Sequence, residues 1–172
     1  MKTTDLHLRR VELKNRLLRR LVRRVFHVTR QSSMPAILEA GDIRPNPDGQ
    51  FPMLFGSTNS YFVNRGCVSV FDYRSATSEQ IAASLSQCSA LAMAWRGSPI
   101  TCLFLSEMAQ RRLVPPHTNR MTSGKIVLHV EAGHPGPIPM SDIDEILQVT
   151  VASDAWDARV ERIRQARPRG AQ

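Results

Sequence analysis

The sequence predicts an α+β domain, a split mixed β-sheet with peripheral helices, preceded by a basic N-terminal helix. Three observations predict it. Runs rich in β-branched and aromatic residues recur singly, at 25–29, 67–73 (CVSVFDY), 100–106 (ITCLFLS), 125–131 (KIVLHVE) and 146–152 (ILQVTVA). Helical segments separate the early runs and proline-rich loops the late ones, so the regular βαβ alternation of a doubly wound sheet is missing. Neither GxGxxG nor a GK[ST] phosphate loop occurs, which removes support for nucleotide binding by those devices.

The elements follow in order. Thr4 or Asp5 can cap a helix filling residues 1–24, where Leu6, Leu13, Leu17 and Leu21 recur at seven- and four-residue steps. Leu18, Val22 and Val25 widen that stripe. One α+β domain then spans 25–166, and 167–172 form a fraying tail. Within the domain, 25–29 reads as a strand and MPAILEA as a short helix, with Pro35 in its first turn and Gly41 placed to end it. A brief strand at 42–44, a turn-rich loop at 45–52 and a polar stretch at 56–64 lead to the 67–73 strand. Thr77 and Gln80 form a capping box ahead of one helix over 81–95. Residues 106–123 are mixed, with Pro115-Pro116 marking a loop, and AGHPGPIP (132–139) reads as a proline-rich connection after the KIVLHVE strand. Ser153 or Asp154 caps a final helix, AWDARVERIRQAR.

Composition bounds the function. The 172 residues are 42% apolar and 22% charged, a globular balance in a chain long enough to bury a core without staples. No apolar run is long enough to span a membrane and no export signal is visible, so the cytoplasm is the expected compartment. Cys67, Cys88 and Cys102 are odd in number and lack CxxC spacing, which reads as small buried hydrophobes in a reducing compartment. No zinc spacing exists, Asp142 and Asp144 do not make a calcium loop, and His129 and His134 flank Glu131 in a Gly-Pro context, not an HExxH helix. No metal is expected. Ser32, Ser57 and Ser60 lack a GxSxG elbow.

The net charge of +8 is concentrated. Residues 1–30 carry ten Lys and Arg against Asp5 and Glu12, while the remaining 13 bases and 13 acids cancel. Arg16, Arg19, Arg20, Arg23 and Arg24 therefore offer guanidinium groups to phosphates, and nucleic acid or another polyanion is the expected partner. An acidic protein or an anionic membrane surface would be served by the same helix. No aromatic is interleaved with these arginines, so base stacking from the helix is not expected.

The stretch FHVTRQSSMPAILEAGDIRPN, followed after a loop by GSTNSYFVNRGCVSVFDYR, resembles the ADP-ribosyltransferase-like fold. The likeness is greatest to bacterial toxins that ADP-ribosylate DNA, with an echo of RNA 2′-phosphotransferases, and it covers about the first 75 residues. The resemblance implies NAD as substrate and transfer to nucleic acid or protein. His27 would hydrogen-bond the nicotinamide-side ribose, since one imidazole offers a donor and an acceptor. Thr29 would support it from the same strand face. Tyr61 or Phe62 would stack on nicotinamide. A carboxylate would stabilise the positive charge that develops as nicotinamide leaves. In the family that glutamate opens a late strand; Glu145, just before ILQVTV, has that setting, and Glu131, closing KIVLHVE, competes. The alternative is a non-enzymatic module that binds nucleic acid or an acidic partner through its arginines.

Overall fold

The computed structural model describes residues 1–50, 60–87, 89–117 and 125–152. Cys88, the expected final helix and the 167–172 tail lie outside these residues.

The first element differs from the expectation. Residues Lys2–Leu8 form a strand, β1, and the helix α1 begins only at Arg10 and ends at Leu21. The physical reason is a period of two: Thr4, Leu6 and Leu8 turn inward while Thr3, Asp5 and His7 are exposed. Glu12 reaches back to the Arg9 backbone N–H at 3.0 Å, which replaces the expected cap at Thr4 or Asp5.

The chain continues through β2 (Val25–Arg30), α2 (Met34–Ala40), β3 (Asp42–Ile43) and β4 (Cys67–Asp72). Gly41 ends α2 at φ 74°, the left-handed region that glycine adopts without strain. The expected 81–95 helix is two, α3 (Ser78–Gln87) and α4 (Ser89–Trp95). Its capping box forms as read: Gln80 N–H donates to Thr77 Oγ1 at 3.3 Å and Thr77 N–H to Gln80 Oε1 at 2.9 Å. β5 (Ile100–Leu105) and α5 (Glu107–Gln110) follow.

The expected KIVLHVE strand is displaced. Residues 128–130 form a turn, and the strand β6 runs Glu131–Pro135, inside the stretch expected to be a connection. Edge position explains this, because a terminal strand tolerates the glycine and proline that a central one rejects. β7 (Ile138–Pro139) pairs with β3, and β8 (Ile143–Val151) closes the described chain.

Six strands make one mixed sheet in the order β1-β8-β5-β2-β4-β6; β1 runs parallel to β8, and every other pair is antiparallel. α1, α3 and α4 cover one face. There Leu13, Leu17, Leu21, Ile81, Leu85 and Leu91 pack against Phe26, Phe104 and Leu147. α2 and α5, with β3 and β7, cover the other over Val70, Leu103 and Ile146. Burial on both faces is why β5 is apolar at every position but Thr101. Each buried leucine of α1 contributes roughly 1.5–3 kcal/mol, so α1 is part of the core and not an appended arm.

β2 and β4 share only two register pairs, Val25 with Asp72 and Phe26 with Phe71. Beyond Phe26, β2 stays with β5 as far as Arg30, while β4 stays with β6 as far as Cys67. The sheet therefore parts into β1-β8-β5-β2 and β4-β6, and His27 stands where it parts.

Candidate functional site at the parting of the sheet

Where the backbone ladder between β2 and β4 stops, the His27 side chain takes over. Its Nδ1 lies 2.9 Å from the Ser69 carbonyl oxygen of β4. A carbonyl only accepts, so Nδ1 carries the proton and Nε2 is left with a lone pair. Burial pushes the His27 pKa down and outweighs the raising effect of that carbonyl, which keeps the ring neutral. The result is a half-buried imidazole of fixed tautomer presenting an acceptor. Thr29 is buried two residues further on the same strand face.

Ser69 also faces the other way. Its hydroxyl donates to Glu131 Oε1 at 2.5 Å, and the Val127 backbone N–H donates to Oε2 at 2.7 Å. Glu131 is the opening residue of β6, directly across from Phe71. Burial raises its pKa above the ordinary carboxylate value against the lowering effect of those two donors. One serine thus joins His27 and Glu131, by its carbonyl on one side and its hydroxyl on the other. Sequence reasoning missed Ser69. The available signal was a lone hydroxyl in the apolar alternation of CVSVF.

Tyr61 and Phe62 separate in role. Phe62 is fully buried, and its ring sits where a Cβ on Gly133 would be, at 2.3 Å from Cδ1. It is a packing residue and leaves no exposed ring face. Tyr61 is half-buried beside the segment leading to Glu131, its N–H donating to the Lys125 carbonyl at 2.9 Å. The edge-on His117 ring lies 4.6 Å away, centroid to centroid, and the Arg65 guanidinium stands 3.7 Å above the Tyr61 ring. Neither His117 nor Arg65 was read as a site residue; nothing in their spacing marks them.

The structure does not bring Glu145 to this place. Phe26 and Val28 point to the α1 side of the sheet, so His27 between them points to the opposite side. Glu145 lies under α1. Glu131, across from Phe71, is on the α1 side as well, but it is linked to His27 through Ser69, a link that Glu145 lacks among the described residues. Glu145 Oε1 accepts from Arg20 and, at 3.3 Å, from the Thr4 hydroxyl; Oε2 accepts from Arg24 at 2.7 Å. Burial alone would raise its pKa, but Arg24, Arg20 and Thr4 together bring it below the ordinary 4.5. Glu145 is a clamp between α1, β1 and β8. Because its folded pKa is depressed, its stabilisation is fully present above pH 4.5 and is lost as pH falls below it. Glu145→Gln is expected to cost roughly 1 kcal/mol at neutral pH, discounted for the partly exposed arginines. Urea unfolding at pH 7 and pH 3.5 checks this, with the difference between variant and parent shrinking at the lower pH.

The clamp also divides the arginines. Arg20 and Arg24 are spent on Glu145, and Arg24 additionally stands 3.6 Å over the Phe104 ring. Arg16 lies 3.7 Å from Glu12. Arg19 and Arg23 are exposed and have no ion pair among the described residues.

An open hollow of about 490 Å³ lies at the far end of β2, lined by Arg30, Gln31, Ser32, Met93, Ser98 and Pro99. It does not include His27, Tyr61 or Glu131. Among the described residues no three His, Cys, Asp or Glu side chains gather as metal ligands, and no helix is long and apolar enough to cross a membrane. Comparison of the chain with protein-family models, with curated proteins and with solved structures finds no match.

Proposed function

We propose that this domain is an ADP-ribosyltransferase-like enzyme that takes NAD and works at the parting of β2 and β4, with His27 and Glu131 as its working pair. A single observation carries the reading: Ser69 joins a neutral imidazole to a buried carboxyl that opens a late strand. The same link favours Glu131 over Glu145, whose charge is already countered by Arg20 and Arg24.

The residues present suit NAD in three respects. His27 Nε2 can accept from a ribose hydroxyl. Tyr61 already carries a planar cation on its ring, the chemical character of a nicotinamide ring. Glu131 has two donors fixing its carboxylate and a raised pKa that makes it a stronger base than an exposed glutamate. NAD would supply an ADP-ribosyl group whose bond to nicotinamide breaks with the electron pair leaving on the nicotinamide nitrogen. Glu131 would place negative charge beside the sugar carbon as positive charge grows there, and would take the proton of the attacking acceptor hydroxyl or amine. His27 would orient the ribose. Exposed Arg19 and Arg23, with Arg16, would draw in a polyanionic acceptor, nucleic acid or an acidic protein surface. The resemblance to DNA-modifying toxins suggests a toxin or effector role.

Nicotinamide release by the purified protein, measured with NAD alone and with DNA, RNA or a cell lysate as acceptor, tests the reading. Release above the uncatalysed rate is expected with at least one acceptor. Arg19 and Arg23, exposed and without an ion pair among the described residues, favour a second reading, a non-enzymatic module. Absent release together with salt-sensitive nucleic-acid binding, lost on Arg19→Glu and Arg23→Glu, would select it.

A further inference from the structure

The Arg65 guanidinium lies 3.7 Å over the Tyr61 ring and is tethered there, its Nη1 donating to the Tyr61 carbonyl at 3.2 Å. The turn Val63–Arg65 sets this four-residue reach, and Gly66 at φ 68° ends it. Around the same ring, Phe62 lies roughly perpendicular at 5.0 Å and His117 at 4.6 Å, centroid to centroid. A stacking ligand must use a ring face, and one face already bears a flat, delocalised cation. Arg65 itself is exposed and enters no ion pair among the described residues, so none of their carboxylates holds it there. A guanidinium and an oxidised nicotinamide ring are alike in being planar and positively charged, and an aromatic face attracts both for the same electrostatic reason.

We infer that Arg65 is a gate on Tyr61: in the free protein its guanidinium holds the place over the ring that the nicotinamide ring of NAD takes on binding. The inference rests on the NAD reading above and extends it to a residue with no assigned role. Arg65 then competes with NAD instead of contacting it. Opening requires only rotation of an exposed side chain, and the competition costs affinity in proportion to one exposed cation–π contact.

The test compares Arg65→Ala with the parent protein by two measurements. The first is nitration of tyrosine by tetranitromethane without NAD. The chain has two tyrosines, and Tyr73 is fully buried with its hydroxyl 2.6 Å from that of Ser84, so the reaction reports on Tyr61. The second is the Kd for NAD by calorimetry. Arg65→Ala should nitrate faster and bind NAD roughly two- to fivefold more tightly. Arg65→Gln, which removes the cation but keeps a donor, should behave the same way. Unchanged nitration would overturn the inference, because the ring would not be covered in solution. Faster nitration with weaker NAD binding would also overturn it, making Arg65 an NAD ligand. Faster nitration with unchanged affinity removes the gate while NAD binding stands. If neither protein binds NAD, the NAD reading falls and the gate with it.

Discussion

Glu131→Gln is expected to slow nicotinamide release by about 10²–10³-fold while leaving the protein folded. Glutamine keeps the shape: its one oxygen can accept from the Val127 N–H and its NH2 can donate to the Ser69 hydroxyl, in place of the two donors that reach the carboxylate at 2.5 and 2.7 Å. It removes the charge that would face the developing positive centre and the base that would take the acceptor's proton. The change therefore separates chemistry from packing. NAD affinity should move far less than turnover, since the loss lies in the transition state. His27→Ala should lose release as well. Glu145→Gln is the counterpart under α1 and should retain release near the parent rate, because among the described residues that side chain meets Arg20, Arg24 and Thr4 and has no link to His27. Full activity of Glu131→Gln, or loss in Glu145→Gln with an unchanged circular dichroism spectrum, would reverse the assignment of the acid.

Gly133→Ala is expected to destabilise the domain by about 3 kcal/mol, the upper range for overpacking. A methyl on Gly133 would sit 2.3 Å from Phe62 Cδ1 and 2.8 Å from Cε1. Neither side can give way. Phe62 is fully buried, and the Gly133 backbone is held from both directions, paired with Ser69 in β4 and bonded to Val114 at 2.8 and 3.1 Å. The variant should show a lower urea midpoint. Release should fall too, as Phe62 would press on Tyr61 and the Ser69 register would shift. A midpoint within error of the parent would contradict this packing.

Much of the secondary structure was legible because it follows from local chemistry. Pro35 and Gly41 bound α2, Thr77 and Gln80 cap α3, and the largely apolar run ITCLFL announces the strand β5. The failures have physical causes. Leu6 fits both a helical stripe, with Leu13 and Leu17, and an alternation with Thr4 and Leu8; pairing with β8 decided for the latter. The glycine and prolines of EAGHPGP argue against a central strand, but β6 lies at the sheet's edge, where that objection lapses. Glu131 thereby moved from the end of an expected strand to the opening of a real one. Which acid is linked to His27 could not be read from sequence, because the link runs through Ser69, whose neighbours on both sides are set by strand pairing. His117 reaches Tyr61 through the tertiary fold and Arg65 through a turn four residues on, and neither carries a mark in the sequence.

The parallel pairing of β1 with β8, from Lys2 opposite Glu145 to Leu8 opposite Val151, has a consequence for how the chain matures. On a ribosome β1 emerges long before β8, its sheet neighbour among the described residues, and must wait, with open amide edges, for nearly the whole domain to follow. Such distant closure is slow and leaves nascent chains exposed to aggregation. Until β8 arrives, Arg20 and Arg24 also lack their carboxylate, so an unfinished chain is more cationic along α1 than the completed one.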